Sequence, residues 1–148
     1  MAGPPTQETG HYRLPRAARL KRQRLIRPLF DRRRKDVHAV RVGTLLVRYR
    51  LAAPEDVSFA VPLQVGFATG RHLGSKPTRN RIKRLLRESF RLHQQTLADA
   101  FADRPETLTL MVLYRGRTEG ASAAIRRDLP EALYRIAADF AEPSHQEA

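Results

Sequence analysis

The alternation of apolar and polar residues divides the chain into six segments punctuated by Gly and Pro. From Arg16 to Lys35, Leu20, Leu25, Ile26, Leu29 and Phe30 are set among cations. That predicts a short amphipathic helix which starts near Leu25 or is kinked there, because Pro28 is tolerated only in a first turn. Over Val37 to Leu51, Leu45, Val47, Tyr49 and Leu51 share one face while Leu46, Arg48 and Arg50 share the other. This is the two-residue period of a strand, broken or bulged at Gly43. Val57 to Thr69 is a second extended run, whose Pro62 requires an edge position or a bulge. Gly70 and Gly74 frame a loop, after which Ser75 is placed as an N-cap with Pro77 in the first turn. One helix is predicted from there to about Ala102, stopping before Pro105.

Thr107 to Tyr114 is the most apolar run and predicts a central strand. The last helix repeats Ile125, Leu129, Leu133, Ile136 and Phe140 on one face; Asp128 and Glu131 resemble a capping box around Pro130, where the helix would restart. Residues 1–15 and 142–148 are polar or rich in Gly and Pro, and are taken as flexible tails on one domain over 16–141.

The helix that follows Ser75 carries the densest chemistry. At about 100° per residue, Leu85, Leu86, Ser89, His93 and Leu97 lie within roughly 60° of Ile82, a core-facing stripe. Asn80, Arg84, Arg87 and Arg91 fall on the opposite side, with Arg81 and Lys83 on its flanks. A merely solvated face would mix signs at i,i+4 spacing, whereas Glu88 is the only acid between Arg79 and Arg91. Arginines held this close repel one another unless an anion sits among them, and Arg suits planar recognition of phosphate.

Charge sharpens that picture. The net charge is +13, and residues 1–91 hold 22 Lys and Arg against 6 Asp and Glu, the remainder 6 against 9. A basic N-terminal portion points to a polyanion, nucleic acid before an anionic membrane. No apolar run reaches the 18 or so residues of a membrane span, and residues 1–34 lack the apolar core of a signal peptide. The absence of Cys excludes disulfides and thiolate metal sites and fits a reducing cytoplasm.

Catalytic patterns are not found. The loop from Gly70 to Lys76 fails the Walker pattern, with three residues between its glycines and Ser75 before Lys76. His11, His38, His72, His93 and His145 show no ligand spacing, and His93 reads as a satisfied, partly buried residue. The polypeptide is expected to hold neither a catalytic side chain nor a metal. Most aromatic residues, among them Phe59, Phe67, Phe90, Phe101, Tyr114 and Tyr134, are assigned to the core. Phe30 and Tyr49 sit within the basic half and are assigned to stacking on single-stranded nucleic acid.

The ungapped stretch Val65-Gly66-Phe67-Ala68-Thr69-Gly70-Arg71-His72-Leu73-Gly74-Ser75-Lys76-Pro77-Thr78-Arg79-Asn80-Arg81-Ile82-Lys83-Arg84-Leu85-Leu86-Arg87-Glu88 resembles the signature of the bacterial ribonuclease P protein subunit. Arg19-Leu20-Lys21-Arg22 followed by Ile26 and Phe30 is similar to that family's N-terminal segment. Departures are Gly70-Arg71-His72 where the family carries a Ser-Lys-Lys run, Ile26 in place of the first cleft aromatic, Pro28, and a longer stretch between Phe30 and Tyr49.

The resemblance implies a single-domain α+β sandwich, a mixed sheet of about four strands with three helices, and a left-handed strand–helix–strand crossover through the Arg-rich helix, against the usual hand. It implies binding to a catalytic RNA and to the 5′ leader of precursor tRNA, whose Mg2+-dependent removal is carried out by the RNA with RNA-held ions. Arg79, Asn80, Arg81, Lys83, Arg84, Arg87 and Arg91 would face RNA, with Arg71, His72 and Lys76 beside them. Ile26, Phe30 and Tyr49 would line the leader cleft. No membrane and no protein partner is called for. A structural RNA-binding protein of the ribosome, or an RNA chaperone, explains the charge equally well but not the ungapped signature.

Overall fold

The computed structural model describes residues 14–58 and 60–141. Four strands form one mixed sheet in the spatial order β1-β2-β4-β3: β1 is His38–Val42, β2 Leu45–Ala52, β3 Leu63–Thr69 and β4 Thr107–Tyr114. β2 runs antiparallel to both β1 and β4, whereas β3 and β4 are parallel, with Leu63 opposite Leu108 and Thr69 opposite Tyr114. The α+β class expected of the sequence is therefore present. The apolar run of β4 takes an interior position because both its faces are covered. β3 takes an edge, and Pro62 sits just before it, its carbonyl accepting the Leu108 N–H at 2.9 Å.

The segment expected to be a strand broken or bulged at Gly43 is broken there, and its two parts form a hairpin. Val42 pairs with Leu45 across Gly43 and Thr44, and Gly43 holds φ +54°. Two-residue hairpin turns require positive φ, which Gly adopts without steric cost. The turn shifts the alternation by one residue: Val40 and Val42 of β1 share a face with Leu45 and Val47 of β2, even positions before it and odd positions after it.

The helices depart from expectation at their ends. α1, Gln23–Ile26, passes directly into a 3-10 turn over Arg27–Phe30 that carries Pro28 in its first turn, so a change of helix type absorbs the proline. The helix expected to reach Ala102 is two, α2 over Lys76–His93 and α3 over Gln95–Phe101. The His93 Nδ1–H donates to the Ser89 carbonyl at 2.9 Å, one turn back along α2. His93 itself is exposed. α4, Ala121–Ala141, runs through Pro130 without restarting. Its buried face, Ile125, Leu129, Leu133, Ile136 and Phe140, matches the periodicity. Asp128 belongs to no capping box and is buried instead.

Each sheet face carries its own core. On one, α2, α3 and α4 enclose Val47, Val65, Ile82, Leu86, Phe90, Leu110, Val112 and their neighbours. On the other, Leu20, Leu25 and Leu29 of the N-terminal segment cover Ala52 and Met111. Leu14 is buried in the first core, so the packed domain begins before the expected boundary at 16. Tyr134 is 67% exposed on α4, outside the core expected for it. Phe59, His11, His145, residues 1–13 and the tail 142–148 lie outside the described residues. Among those described, no helix is long and apolar enough to cross a membrane.

Candidate nucleic-acid interface

The Ser75 side chain starts α2 by accepting the Thr78 N–H at 3.3 Å. Burial of Ile82, Leu86, Ser89 and Phe90 then fixes the rotation of the helix. Asn80, Arg81 and Arg84 are turned to solvent, with Lys83 half-buried beside them. Arg81, Lys83 and Arg84 have no ion-pair partner among the described residues. The other cations of the row are tied to the protein. Arg79 Nη1 donates to the Gly74 carbonyl at 3.2 Å, and the Arg87 guanidinium sits 6.0 Å from the centroid of Phe67. Arg91 Nη2 donates to Glu88 Oε2 at 2.6 Å, which cancels its charge locally. Arg71 and Lys76 are exposed at the N-terminal end, where unsatisfied backbone N–H groups add to the positive field.

On the opposite face of the sheet lies an open groove of about 660 Å³. Its apolar walls are Phe30, Leu46 and Leu113, and Arg32, Arg48, His72 and Arg115 surround them without an acid among the lining residues. Phe30 presents 47% of its surface to solvent. The groove sits where β3 and β4 end and β2 begins, so three connections meet there. Hydrogen bonds lace them together: Arg115 N–H to the Thr44 carbonyl at 2.7 Å, His72 Nε2–H to the Gly116 carbonyl at 2.9 Å, and the Tyr114 hydroxyl to the Arg117 carbonyl at 2.6 Å. Thr69 is among the lining residues, and its buried Oγ1 has no hydrogen-bond partner among the described residues.

The groove unites only part of the expected cleft. Of Ile26, Phe30 and Tyr49 only Phe30 lines it, and His72, expected beside the Arg-rich helix, lines it as well. Ile26 is half-buried and packs against the Leu25 and Leu29 cluster beneath. Tyr49 is not a cleft residue: alternation along β2 sends it to the helix-covered face, opposite to Leu46 and Arg48. There it is 4% exposed, its hydroxyl donating to Asp139 Oδ2 at 3.2 Å and its ring edge-on to Phe140 at 5.9 Å. Burial first and the Asp139 charge second push the phenol well above its ordinary value. Arg32, Arg48 and Arg115 join the groove without being singled out by the sequence pattern. For Arg48 a signal exists, since it shares the β2 face of Leu46 and not that of Tyr49.

Among the described residues no three His, Asp or Glu side chains gather to hold a metal. The donors of both surfaces are guanidinium, ammonium and imidazole groups, suited to oxyanions, and the apolar walls suit the faces of bases.

The sequence model of the ribonuclease P family matches residues 14–137. The ribonuclease P protein component of Chlorobaculum tepidum is 35% identical over 82 residues, which is 52% of this chain and 53% of that protein. The component of Natranaerobius thermophilus is 45% identical over 38 residues, 26% of this chain and 33% of that one. The matched stretch thus spans about half, or less, of the length of these curated relatives. The fold is similar to the RNase P protein of Staphylococcus aureus, with a TM-score of 0.56 at 20% identity over 81% of this chain and 95% of that one. A mutant of the same protein, described as defective in mRNA degradation, gives 0.57 at 18% identity over 90% and 96%.

Proposed function

Because the chain belongs to the ribonuclease P protein family, we propose that it is the protein subunit that pairs with a catalytic RNA to remove the 5′ leader of precursor tRNA. The observation that carries this reading is the presence of two cationic surfaces on opposite faces of one small sheet. The α2 surface, through Asn80, Arg81, Lys83 and Arg84, suits the phosphates of a folded RNA. The groove around Phe30, with cations on its rim and an exposed ring in its wall, suits a single strand held by stacking and backbone contact. Few base-edge readers line it, which fits leaders of variable sequence. One protein would thereby screen the repulsion between two polyanions and hold the strand to be removed. Mg2+ held by the RNA supplies the hydrolytic chemistry, and the side chains of this chain bind and orient.

Cleavage of a precursor tRNA at low Mg2+ by a bacterial ribonuclease P RNA, with and without the protein, tests the proposal. Stimulated cleavage at the mature 5′ end, with no cleavage by the protein alone, is the expected result. RNA binding without stimulation across several ribonuclease P RNAs overturns it in favour of a structural or chaperone role.

A further inference from the structure

A second concavity lies on the groove's face of the sheet but at the other end of β3, apart from both cationic surfaces. Its volume is about 180 Å³, and its lining is Arg16, Arg19, Lys21, Arg22, Ser58 and Gln64. Four cations therefore converge on a space the size of a small oxyanion and its water, with no acid in the lining.

The site is held in shape by backbone and not by chance rotamers. Arg19 forms a parallel bridge with Val65 at the outer edge of β3, and Leu20 N–H donates to the Val65 carbonyl at 3.0 Å. Gln64, buried, donates from Nε2 to the Ala17 carbonyl at 2.9 Å, which clamps the segment from its other side. Arg19 Nε is spent on the Leu14 carbonyl at 3.0 Å, orienting its guanidinium. Leu20, buried under Met111, anchors the turn beyond. Arg16, Lys21 and Arg22 are exposed and have no ion-pair partner among the described residues. Such a cluster carries a standing repulsion that an anion relieves.

Position decides which anion. Gln64 and Leu20 share the face of Met111, not the face on which α2 packs, so an RNA lying on α2 does not reach the concavity. The groove opens on this face through Leu46 and Leu113, and the stretch of β3 from Gln64 to Thr69 in the groove lining is five residues, roughly 17 Å at strand spacing. A strand leaving the groove along the sheet edge meets the four cations after a few nucleotides.

We propose that the concavity formed by Arg16, Arg19, Lys21, Arg22, Ser58 and Gln64 is a backbone-phosphate site that holds a single RNA strand beyond the groove. The site rests on the reading of the groove as a single-strand surface. Its guanidinium and ammonium groups match the charge of phosphate oxygens, which every nucleotide presents whatever its base.

The test is binding of the full chain to a fluorescein-labelled single-stranded RNA of mixed sequence, long enough to span groove and concavity, over a series of KCl concentrations. Arg16→Gln with Arg22→Gln is compared with Arg48→Gln in the groove and with Arg126→Gln plus Arg135→Gln, an equal charge loss on α4. Circular dichroism verifies folding, and Lys21→Gln gives a second, independent reading. Removing the hold on one phosphate lowers the slope of log affinity against log salt by about 0.7 and weakens binding about fivefold at 0.1 M salt. The concavity pair is expected to show this and the α4 pair not. Equal effects of the two pairs, or none from the concavity pair while Arg48→Gln weakens binding, overturn the inference alone. If neither Arg48→Gln nor the concavity pair weakens binding, the reading of the groove falls with it.

Discussion

The Asp128 carboxylate on α4 accepts both the backbone N–H and the hydroxyl of Thr44 in the β1–β2 turn, at 2.9 and 2.8 Å, across 84 residues of sequence. Arg127 closes the arrangement by donating from Nε at 2.7 Å. Because the Thr44 carbonyl also takes the Arg115 N–H, one buried carboxylate fixes the hairpin turn, the loop after β4 and the start of α4. Those are the parts that hold Arg115 at the groove rim.

The Asp128 carboxyl is held down at about 2, first by the Arg127 hydrogen bond and then by the two Thr44 donors, against the opposing effect of burial. A folded value below the unfolded one means the contribution is fully present above about pH 4 and is lost as pH falls from about 4 to about 2. Asp128→Asn is expected to cost about 2 kcal/mol at neutral pH and to lose that pH-dependent component. Urea unfolding at pH 7 and at pH 3 measures both. An unchanged pH dependence in the variant would remove Asp128 as its source.

Gly43 makes the same contact possible from the other side. At φ +54° it takes a conformation that L side chains rarely adopt, and a Cβ there would collide with the Asp128 carboxylate. Gly43→Ala therefore strains the backbone and displaces the carboxylate together, an expected loss of about 1 to 3 kcal/mol. In the Asp128→Asn background the two losses should fall short of additive, because both act on one contact. Additivity in a double-mutant cycle would show the strain to be in the backbone alone.

Phe30 and Tyr49 separate function from stability. Phe30→Ala leaves the core intact, its ring being half in solvent, and is expected to weaken single-stranded RNA binding by about 1 to 3 kcal/mol, the range of one stacked base. Tyr49→Phe removes the hydroxyl that bonds Asp139 and is expected to cost about 1 kcal/mol of folding stability with RNA affinity unchanged. Anisotropy titrations and thermal melts on the pair read the two axes. A weaker RNA affinity in Tyr49→Phe would return that ring to the cleft.

Local periodicity is a sound guide where one face is apolar and the other is not. Ile82 with Leu86 and Ser89, and Ile125 with Leu129 and Leu133, are legible for that reason, as is β4 from its apolar run. Failures come where a tertiary contact overrides a local signal. Asp128 next to Glu131 looks like a cap because the sequence does not show Thr44 arriving from 84 residues away. At Gly43 and Thr44 the inward positions pass from Val40 and Val42 to Leu45 and Val47, a change of phase that marks a break but does not by itself tell a hairpin from a bulge. Tyr49 is misleading by its company: surrounded by Arg in sequence, it shares a sheet face with Val47 and Leu45 and not with Arg48. The exposure of Tyr134 is legible in the helical period, which puts it roughly 140° from the face of Ile125 and Leu133; its inward assignment rests on aromatic type alone.

The rotation of α2 sets the last prediction. Arg87 lies half-buried near Phe67 and Arg91 is paired with Glu88, so removing either perturbs packing or an ion pair along with charge. Arg81 and Arg84 are exposed and unpaired among the described residues, and they offer the clean test. Arg81→Ala with Arg84→Ala is expected to leave the melting temperature unchanged and to reduce the salt slope of binding to a folded ribonuclease P RNA by about 1 for each phosphate no longer neutralised. Binding of a short single strand should be unaffected, because that strand occupies the other face of the sheet. Equal weakening for both ligands would mean that one surface serves both, and the division of labour between helix face and groove would have to be abandoned.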